Sequence, residues 1–367
     1  MINVINILNI ADLEKGFGTT AAANNLNKYF TQVNLLKTFT IKPLYGKEPE
    51  LLKAEYLNCN FTRSKNSFKQ IFNQLRPDVV HFHGIWHLGM RLVNILSEIN
   101  IPVVVSPHGM LQTFTLNHKY FRKYLFSLII QREAMRKSSV IHVLNKEEEK
   151  FVEEYVGMNS SIRSKCVVIS NGVDSIPPLP TNFNSRPIKF LFCGQIIQRK
   201  RLEFLIDAWK IADIHINAKL VIAGTGEDKY VQKLMKKIKN TLGVEYIGFV
   251  SGHERLKVIA ESHFGVLSSA GEGQPLALLE SLSCGRPCIA TPECCLKSLQ
   301  SENIGWVAES IDQFADAFKN AAKLSMEEYS IKSQLSVKYI QKNHSWINAS
   351  TTLQNIYFSL AHKREQS

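Results

Sequence analysis

Hydrophobic positions along this chain of 367 residues come in short unbroken runs, each followed by small or polar turn residues and then by a stretch of helical spacing. The runs at 2–10 (INVINILNI), 78–84 (DVVHFHG), 101–106 (IPVVVS), 140–144 (VIHVL), 188–193 (IKFLFC), 219–223 (KLVIA), 244–250 (VEYIGFV) and 264–267 (FGVL) read as strands. A run without alternation suits a strand covered on both faces, as in parallel sheets flanked by helices. Such units recur in both halves of the chain. The expected fold class is therefore α/β, with two Rossmann-like doubly wound domains facing across a cleft. The first covers 1–174 and the second 188–344, joined by a linker, 175–187 (SIPPLPTNFNSRP), that holds four of the twelve prolines.

The most informative stretch is 264–291. After the strand Phe264–Leu267 comes a turn of small residues, Ser268 to Gly273, in which Gly271 and Gly273 are expected to allow backbone conformations and close approaches barred to other residues. Pro275 suits the first position of a helix, Leu276 to Cys284 continue with helical spacing, and Gly285 stops it. Amides at such a helix start point outward unpaired at the positive end of the dipole and suit a phosphate. Pro275 has no amide hydrogen, so Leu276 and Ala277 are the expected donors. Glu272 and Glu280, with seven residues between them, frame the turn, and Glu280 is the only charge from Gly273 to Gly285. Its neighbours at helical spacing, Ala277, Ser283 and Cys284, are small, so Glu280 borders a groove; an exposed glutamate on an amphipathic helix is the other reading.

Other turns carry weaker signals. Residues 12–20 read as a Gly-rich loop with Gly16 and Gly18, followed by a helix from Thr19; a third glycine is missing, so the dinucleotide fingerprint is poor. His81 and His83 lie within a strand and read as structural. His108 falls just past the carboxyl end of a strand, where open parallel sheets place their ligands. An imidazole there can hydrogen-bond a sugar or a departing phosphate. In the second half, Gly194 to Arg201 (GQIIQRKR) offers a cluster of cations after a strand; solvated loop charges are the alternative. Residues 115–138 form a basic helical pattern with Lys119, Arg122, Lys123, Arg132, Arg136 and Lys137 around an aromatic and aliphatic body.

Composition narrows the field. The chain is 45% hydrophobic and 21% charged, ordinary for a water-soluble globular protein, and no run is long enough to span a bilayer. The start lacks a basic region and a cleavage site, so a cytoplasmic location is expected. The net charge of +12 favours an anionic partner, but no finger, RNP or basic-zipper pattern accompanies it, so nucleic acid is not expected. Seven cysteines without C-x-x-C spacing or a histidine cluster suggest neither zinc nor a disulfide framework.

The frame Glu272-Gly273-Gln274-Pro275 and Glu280, followed by Gly285-Arg286-Pro287, resembles the signature of the retaining, nucleotide-sugar-dependent family 4 glycosyltransferases. Asn171-Gly172-Val173-Asp174 resembles the segment that precedes the hinge in that family. The resemblance implies the GT-B arrangement, with the helix 345–362 crossing back onto the first domain. It implies a donor site made of Gly18, Gln195, Lys200, Val250, Gly273, Leu276, Ala277 and Glu280. In it Lys200 and the two amides hold the diphosphate, Glu280 the ribose and Val250 the base through its backbone. His108 and Glu272 are the implied catalytic residues.

The expected activity is transfer of a sugar, with retention, from a UDP- or GDP-sugar to a saccharide or lipid-linked saccharide. Bacterial surface polysaccharide is the expected product, and neither cofactor nor metal is expected. The basic segment 119–137 has two readings, a surface that docks on an anionic membrane face and a surface helix with a buried apolar stripe and solvated charges. Two rival readings are another GT-B enzyme, such as a sugar-nucleotide epimerase, and a basic nucleic-acid-binding protein.

Overall fold

The computed structural model describes residues 2–8, 13–30, 36–42, 56–58, 75–112, 116, 126–157, 160–174 and 183–366. The chain folds as two units, one of Met1–Gly172 with Trp346–Ser367 and one of Val173–Ser345. In the first, the strands are β1 (Ile2–Leu8), β2 (Leu36–Lys42), β3 (Tyr56–Asn58), β4 (Val79–His83), β5 (Val103–Ser106), β6 (Val140–Val143) and β7 (Cys166–Val168). They form one parallel sheet in the order β3-β2-β1-β4-β5-β6-β7. Successive residues of a strand point to opposite faces, and here both faces are covered. Val4, Val79 and Val104 pack with Ala22, Leu26 and Phe30 of the helix Leu13–Phe30 and with Leu353 and Tyr357 of the helix Trp346–Glu365. Ile5, Val80 and Val105 pack on the other side with Val93 and Leu96 of the helix Leu92–Glu98 and with Ala134 and Met135 of the helix Arg132–Lys137. The chain enters the last helix past Gly172, where a Cβ would stand 2.2 Å from the backbone nitrogen of Trp346.

The second unit contains β8 (Ile188–Cys193), β9 (Ala218–Ala223), β10 (Val244–Gly248), β11 (Phe264–Leu267), β12 (Cys288–Ala290) and β13 (Gly305–Val307). Their order is β10-β9-β8-β11-β12-β13, and every pair is parallel. The order reverses between β8 and β11. At such a reversal the loops leaving the two strands diverge to opposite faces and leave a crevice at the carboxyl ends. Aromatic packing fixes these two strands: Phe190 stacks on Phe264 at 5.0 Å, and Trp209 and Phe318 meet Phe190 edge-on. Gly265 lets the helix Leu276–Ser283 settle on β11, since a Cβ there would lie 2.8 Å from Ser281 Oγ and 2.9 Å from Cys288 Sγ.

Several sequence expectations are corrected. The helix Leu13–Phe30 already contains Gly16 and Gly18, so the stretch is not a loop up to Thr19. Glycine inside a helix costs roughly 1 kcal/mol, too little to end one that tertiary packing holds. Pro275 stands before the helix as its cap, with ψ 85°, and the helix starts at Leu276. Neither Gly271 nor Gly273 has positive φ, so the turn draws no left-handed backbone from them. Residues 175–182 of the expected linker lie outside the described residues, whereas Phe183 is buried in the second core and stacks on Tyr329 at 4.3 Å. Among the described residues no helix is long and apolar enough to cross a membrane, and each described cysteine is a free thiol.

Candidate active site

In the second unit the loops leaving β8 and β11 are stitched together at the reversal. The Ala270 amide donates to the Arg199 carbonyl at 2.7 Å, and the Ser268 hydroxyl donates to that of Lys200 at 2.8 Å. Arg201, at φ 48°, turns its guanidinium back on the turn, donating from Nε to Ser268 O at 2.8 Å and from Nη2 to Ser269 O at 3.1 Å and Glu293 Oε2 at 3.2 Å. Arg201 is thus a brace for the turn backbone.

This brace presents Lys200 to Glu272. Lys200 Nζ donates to Glu272 Oε1 at 2.6 Å, and the Ser269 hydroxyl donates to the same oxygen at 2.5 Å. The two side chains are only 13% and 9% exposed. Burial by itself would raise the carboxyl pKa, but the Lys200 and Arg199 charges and the two hydrogen bonds outweigh it and hold the group below its usual range. Glu272 is therefore ionised, with two close donors and a bound cation.

The helix Leu276–Ser283 follows the turn. The Pro275 carbonyl accepts from the amides of Leu278 and Leu279, so those of Leu276 and Ala277 lie ahead of the first amides the helix pairs. Glu280, one face further on, is ion-paired with Arg255 Nη2 from the helix Gly252–Ala260. Burial pushes its carboxyl up, Arg255 opposes this, and Asp174 adds to it. Arg255 Nε is buried and without a partner among the described residues.

Gln195 is half-buried in the β8 loop, and the backbone there is packed against the β9 loop: a Cβ on Gly224 would meet the Gly194 carbonyl at 1.8 Å. The Val250 side chain joins Leu191, Val221 and Ile259 in a small apolar cluster, which leaves only its backbone for a ligand. Lys200, Glu272, Gly273, Leu276, Ala277 and Glu280 thus share one strand-turn-helix and its neighbouring loop, with Gln195 in that loop. Gly18 and His108 belong to the first unit.

There the strand ends hold a cluster of histidines. His108 adopts φ 52° and Gly109 φ 76°, a left-handed pair that only a clamped turn retains. The clamp is Glu148, whose buried carboxylate accepts from the Gly109 amide at 2.5 Å and the Leu144 amide at 2.7 Å. His108 stacks on His83, with ring centroids 5.5 Å apart, and its Nε2 lies 3.2 Å from His83 Nδ1. His81 and His83 read as structural in the sequence; both are fully hydrogen-bonded in the core, and His83 also touches His108. Burial first, and then His142, draw the pKa of His108 down to about 3, so it is neutral at physiological pH. Sequence reading did not reach Arg255, Glu148, Asn6 or Asn27, because nothing in their local pattern marks their distant partners. Ser269, three residues before Glu272, was within reach of a search for turn hydroxyls. Among the described residues no group of three histidine, cysteine or carboxylate side chains suits a metal ion.

Residues 187–323 match the family model described as glycosyl transferases group 1, and residues 47–175 match that of glycosyltransferase family 4. An uncharacterized glycosyltransferase of Methanocaldococcus jannaschii is 27% identical over 229 residues, which is 61% of this chain and 58% of that relative, less than two thirds of its length. An uncharacterized 41.2 kDa protein in the cps region of Klebsiella pneumoniae is 21% identical over 92% of this chain and 99% of its own. Among solved structures, the Anabaena protein HepE in complex with UDP and glucose superposes with a TM-score of 0.74 at 14% identity, covering 97% of this chain and 99% of that one. With one family model matched in each unit and the fold shared throughout, the chain belongs to the group 1 and family 4 glycosyltransferases and has the GT-B fold class.

Proposed function

We propose that the protein is a retaining glycosyltransferase that moves a sugar from a UDP- or GDP-sugar to a saccharide or lipid-linked saccharide in the synthesis of a bacterial surface polysaccharide. The observation that carries this reading is the Lys200–Glu272–Ser269 cluster, on the turn that leads into the helix opening with Leu276 and Ala277, at the strand reversal of the second unit. Cations and helix amides suit a diphosphate, and an ionised carboxylate with small neighbours suits sugar hydroxyls. Relatives support the choice: HepE was solved with UDP and glucose, and the Klebsiella protein is encoded in a cps region.

In the reaction, the bond from the anomeric carbon to the diphosphate oxygen breaks with its electron pair on the diphosphate. The acceptor oxygen bonds the same carbon on the same face, and its proton passes to the departing phosphate. Lys200, with Arg199 nearby, and the helix amides stabilise the charge that develops on the leaving group. Glu280 holds the ribose and His108 a hydroxyl near the reacting carbon.

Because protein cations supply the positive field at the diphosphate, turnover should survive EDTA; complete loss restored by Mn2+ would overturn this account of the diphosphate site. A thermal-shift panel of UDP- and GDP-sugars, followed by proton NMR of the product anomer, tests the whole reading. Stabilisation by one donor and a retained anomer are expected. No shift with any nucleotide sugar, or an inverted product, would reject it.

A further inference from the structure

We propose that His83 is the positioning residue for His108: it accepts the Nε2 proton of His108 and thereby fixes the tautomer in which Nδ1 is the bare nitrogen offered to a substrate hydroxyl. The inference rests on the assignment of His108 to sugar transfer made above. Its direction follows from a chain of donors. Asn6 Nδ2 donates to Asn27 Oδ1 at 3.0 Å, which leaves Asn6 Oδ1 to accept from His83 Nε2 at 3.1 Å. A neutral imidazole carries one N–H, so His83 Nδ1 is a lone pair, and His108 Nε2 at 3.2 Å must donate to it. His108 Nδ1 is then unprotonated, and it makes no hydrogen bond to the described residues.

A second chain stops the neighbouring rings from supplying a proton. The Ile169 carbonyl can only accept, so His142 Nε2 donates to it at 2.8 Å, and His142 Nδ1 accepts from the Ser106 hydroxyl at 2.8 Å. Ser106 in turn accepts from His81 Nε2 at 2.7 Å, and His81 Nδ1 accepts from the Tyr357 hydroxyl at 2.6 Å. Each ring in the cluster therefore has one proton and one assigned direction. Burial keeps His81, His83 and His142 uncharged as well, helped at His81 and His83 by the neighbouring rings and opposed at His142 by its bond to the Ile169 carbonyl. Stacking on His83, with ring planes 25° apart, and the Glu148 clamp on Gly109 hold the His108 ring in place.

The test is a long-range proton–nitrogen NMR spectrum of the full chain labelled with 15N-histidine, at pH 7.5, with His108 identified by its loss in His108→Gln. A single tautomer protonated at Nε2 is expected. His83→Leu should turn this into a mixture of both tautomers, and His83→Asn, which keeps an acceptor near the place of Nδ1, should restore the single form. Asn6→Ala, which frees the orientation of His83, should also give a mixture and replaces His83→Leu if that variant does not fold. Protonation of His108 at Nδ1 in the native chain, or an unchanged single tautomer in His83→Leu or its replacement, would overturn the proposal. No substrate is needed, so the outcome is separate from the transfer assignment. An undiminished kcat in His108→Ala with the donor the panel selects would sink that assignment while leaving the tautomer result standing.

Discussion

The two glutamates that frame the turn have the same chemistry but different surroundings, and their variants should differ accordingly. Glu280 is held by Arg255 and pushed up by burial, whereas Glu272 is held below its usual range by Lys200, Arg199 and Ser269. A carboxylate that grips a ribose does so equally in the ground and transition states. Glu280→Gln should therefore forfeit about 1.5–3 kcal/mol of donor binding, raising KM more than it lowers kcat. Glu272 pairs with Lys200, the proposed diphosphate cation, and lies beside the proposed sugar position, so Glu272→Gln should mainly lower kcat. Steady-state kinetics with the selected donor distinguish the two, and unchanged donor affinity in Glu280→Gln would remove Glu280 from the ribose site.

At the scale of elements, the site depends on how closely the helix Leu276–Ser283 lies on β11. Its near end is set by the Arg201 brace on Ser268 and Ser269, and its far end by Gly285, at φ 75°, where a Cβ would meet Ser333 Oγ at 2.6 Å. Gly265→Ala inserts a methyl group 2.8 Å from Ser281 Oγ. It should cost about 1–3 kcal/mol through overpacking and tilt the helix that carries Leu276, Ala277 and Glu280. Denaturant unfolding together with donor affinity checks this. A fully stable variant that has lost donor binding would mean the helix moves freely on the strand, contrary to the packing described.

At the scale of the whole molecule, the histidines of the first unit make it acid-labile. Unfolded histidines take up protons near pH 6.5, whereas His87 and His142 are drawn down to about 4 and His108 to about 3, in each case chiefly by burial. The unfolded state thus binds more protons below pH 6.5, and stability falls as the pH drops from there toward 4. His142 alone would remove roughly 3 kcal/mol over that window. Glu148 and Glu280, both raised by burial, have the opposite slope just above the ordinary carboxyl value, but they are two groups against the buried histidines. The melting temperature should be flat from pH 8 to 7 and fall steeply from 6 to 4.5; a flat profile throughout would contradict buried neutral histidines.

Membrane docking by 119–137 also belongs to this scale. Lys119, Arg122 and Lys123 lie outside the described residues. Of the remaining cations, Arg132 lies over the Tyr155 ring, Arg136 donates to the Val156 carbonyl, and Lys137 pairs with Glu133. Docking, as the sequence leads one to expect it, would therefore rest on the first three cations, with Leu128 and Ile129 exposed further along the segment at 51% and 70%. At about 1 kcal/mol per cation, changing all three to Gln should weaken salt-sensitive sedimentation with anionic liposomes, and unchanged sedimentation would reject the segment as the docking surface.

What the sequence determined by itself is what neighbouring residues decide together. The bounds of β8 and β11, the existence of a helix after the turn, its stop at Gly285 and the place of Glu272 and Glu280 on one turn and helix follow from runs, spacing and backbone chemistry within a few residues, whereas the exact opening of that helix, one residue past Pro275, does not. The Gly16 and Gly18 stretch escaped this logic because a helix tolerates glycine at modest cost when packing holds it. Only the tertiary structure decided which partner each charge and ring would find. Arg255 reaches Glu280 because the helices that carry them are near neighbours in the second unit, and Tyr357 reaches His81 across 276 positions because the last helix lies on the first sheet. His83 and His108 meet because β4 and β5 pair in register, with His83 opposite Ser106. Strand order and register are set by the burial of whole faces, a property of the entire sheet, so the hydrogen bonds that orient His108 and charge Glu272 are settled only when the sheets close.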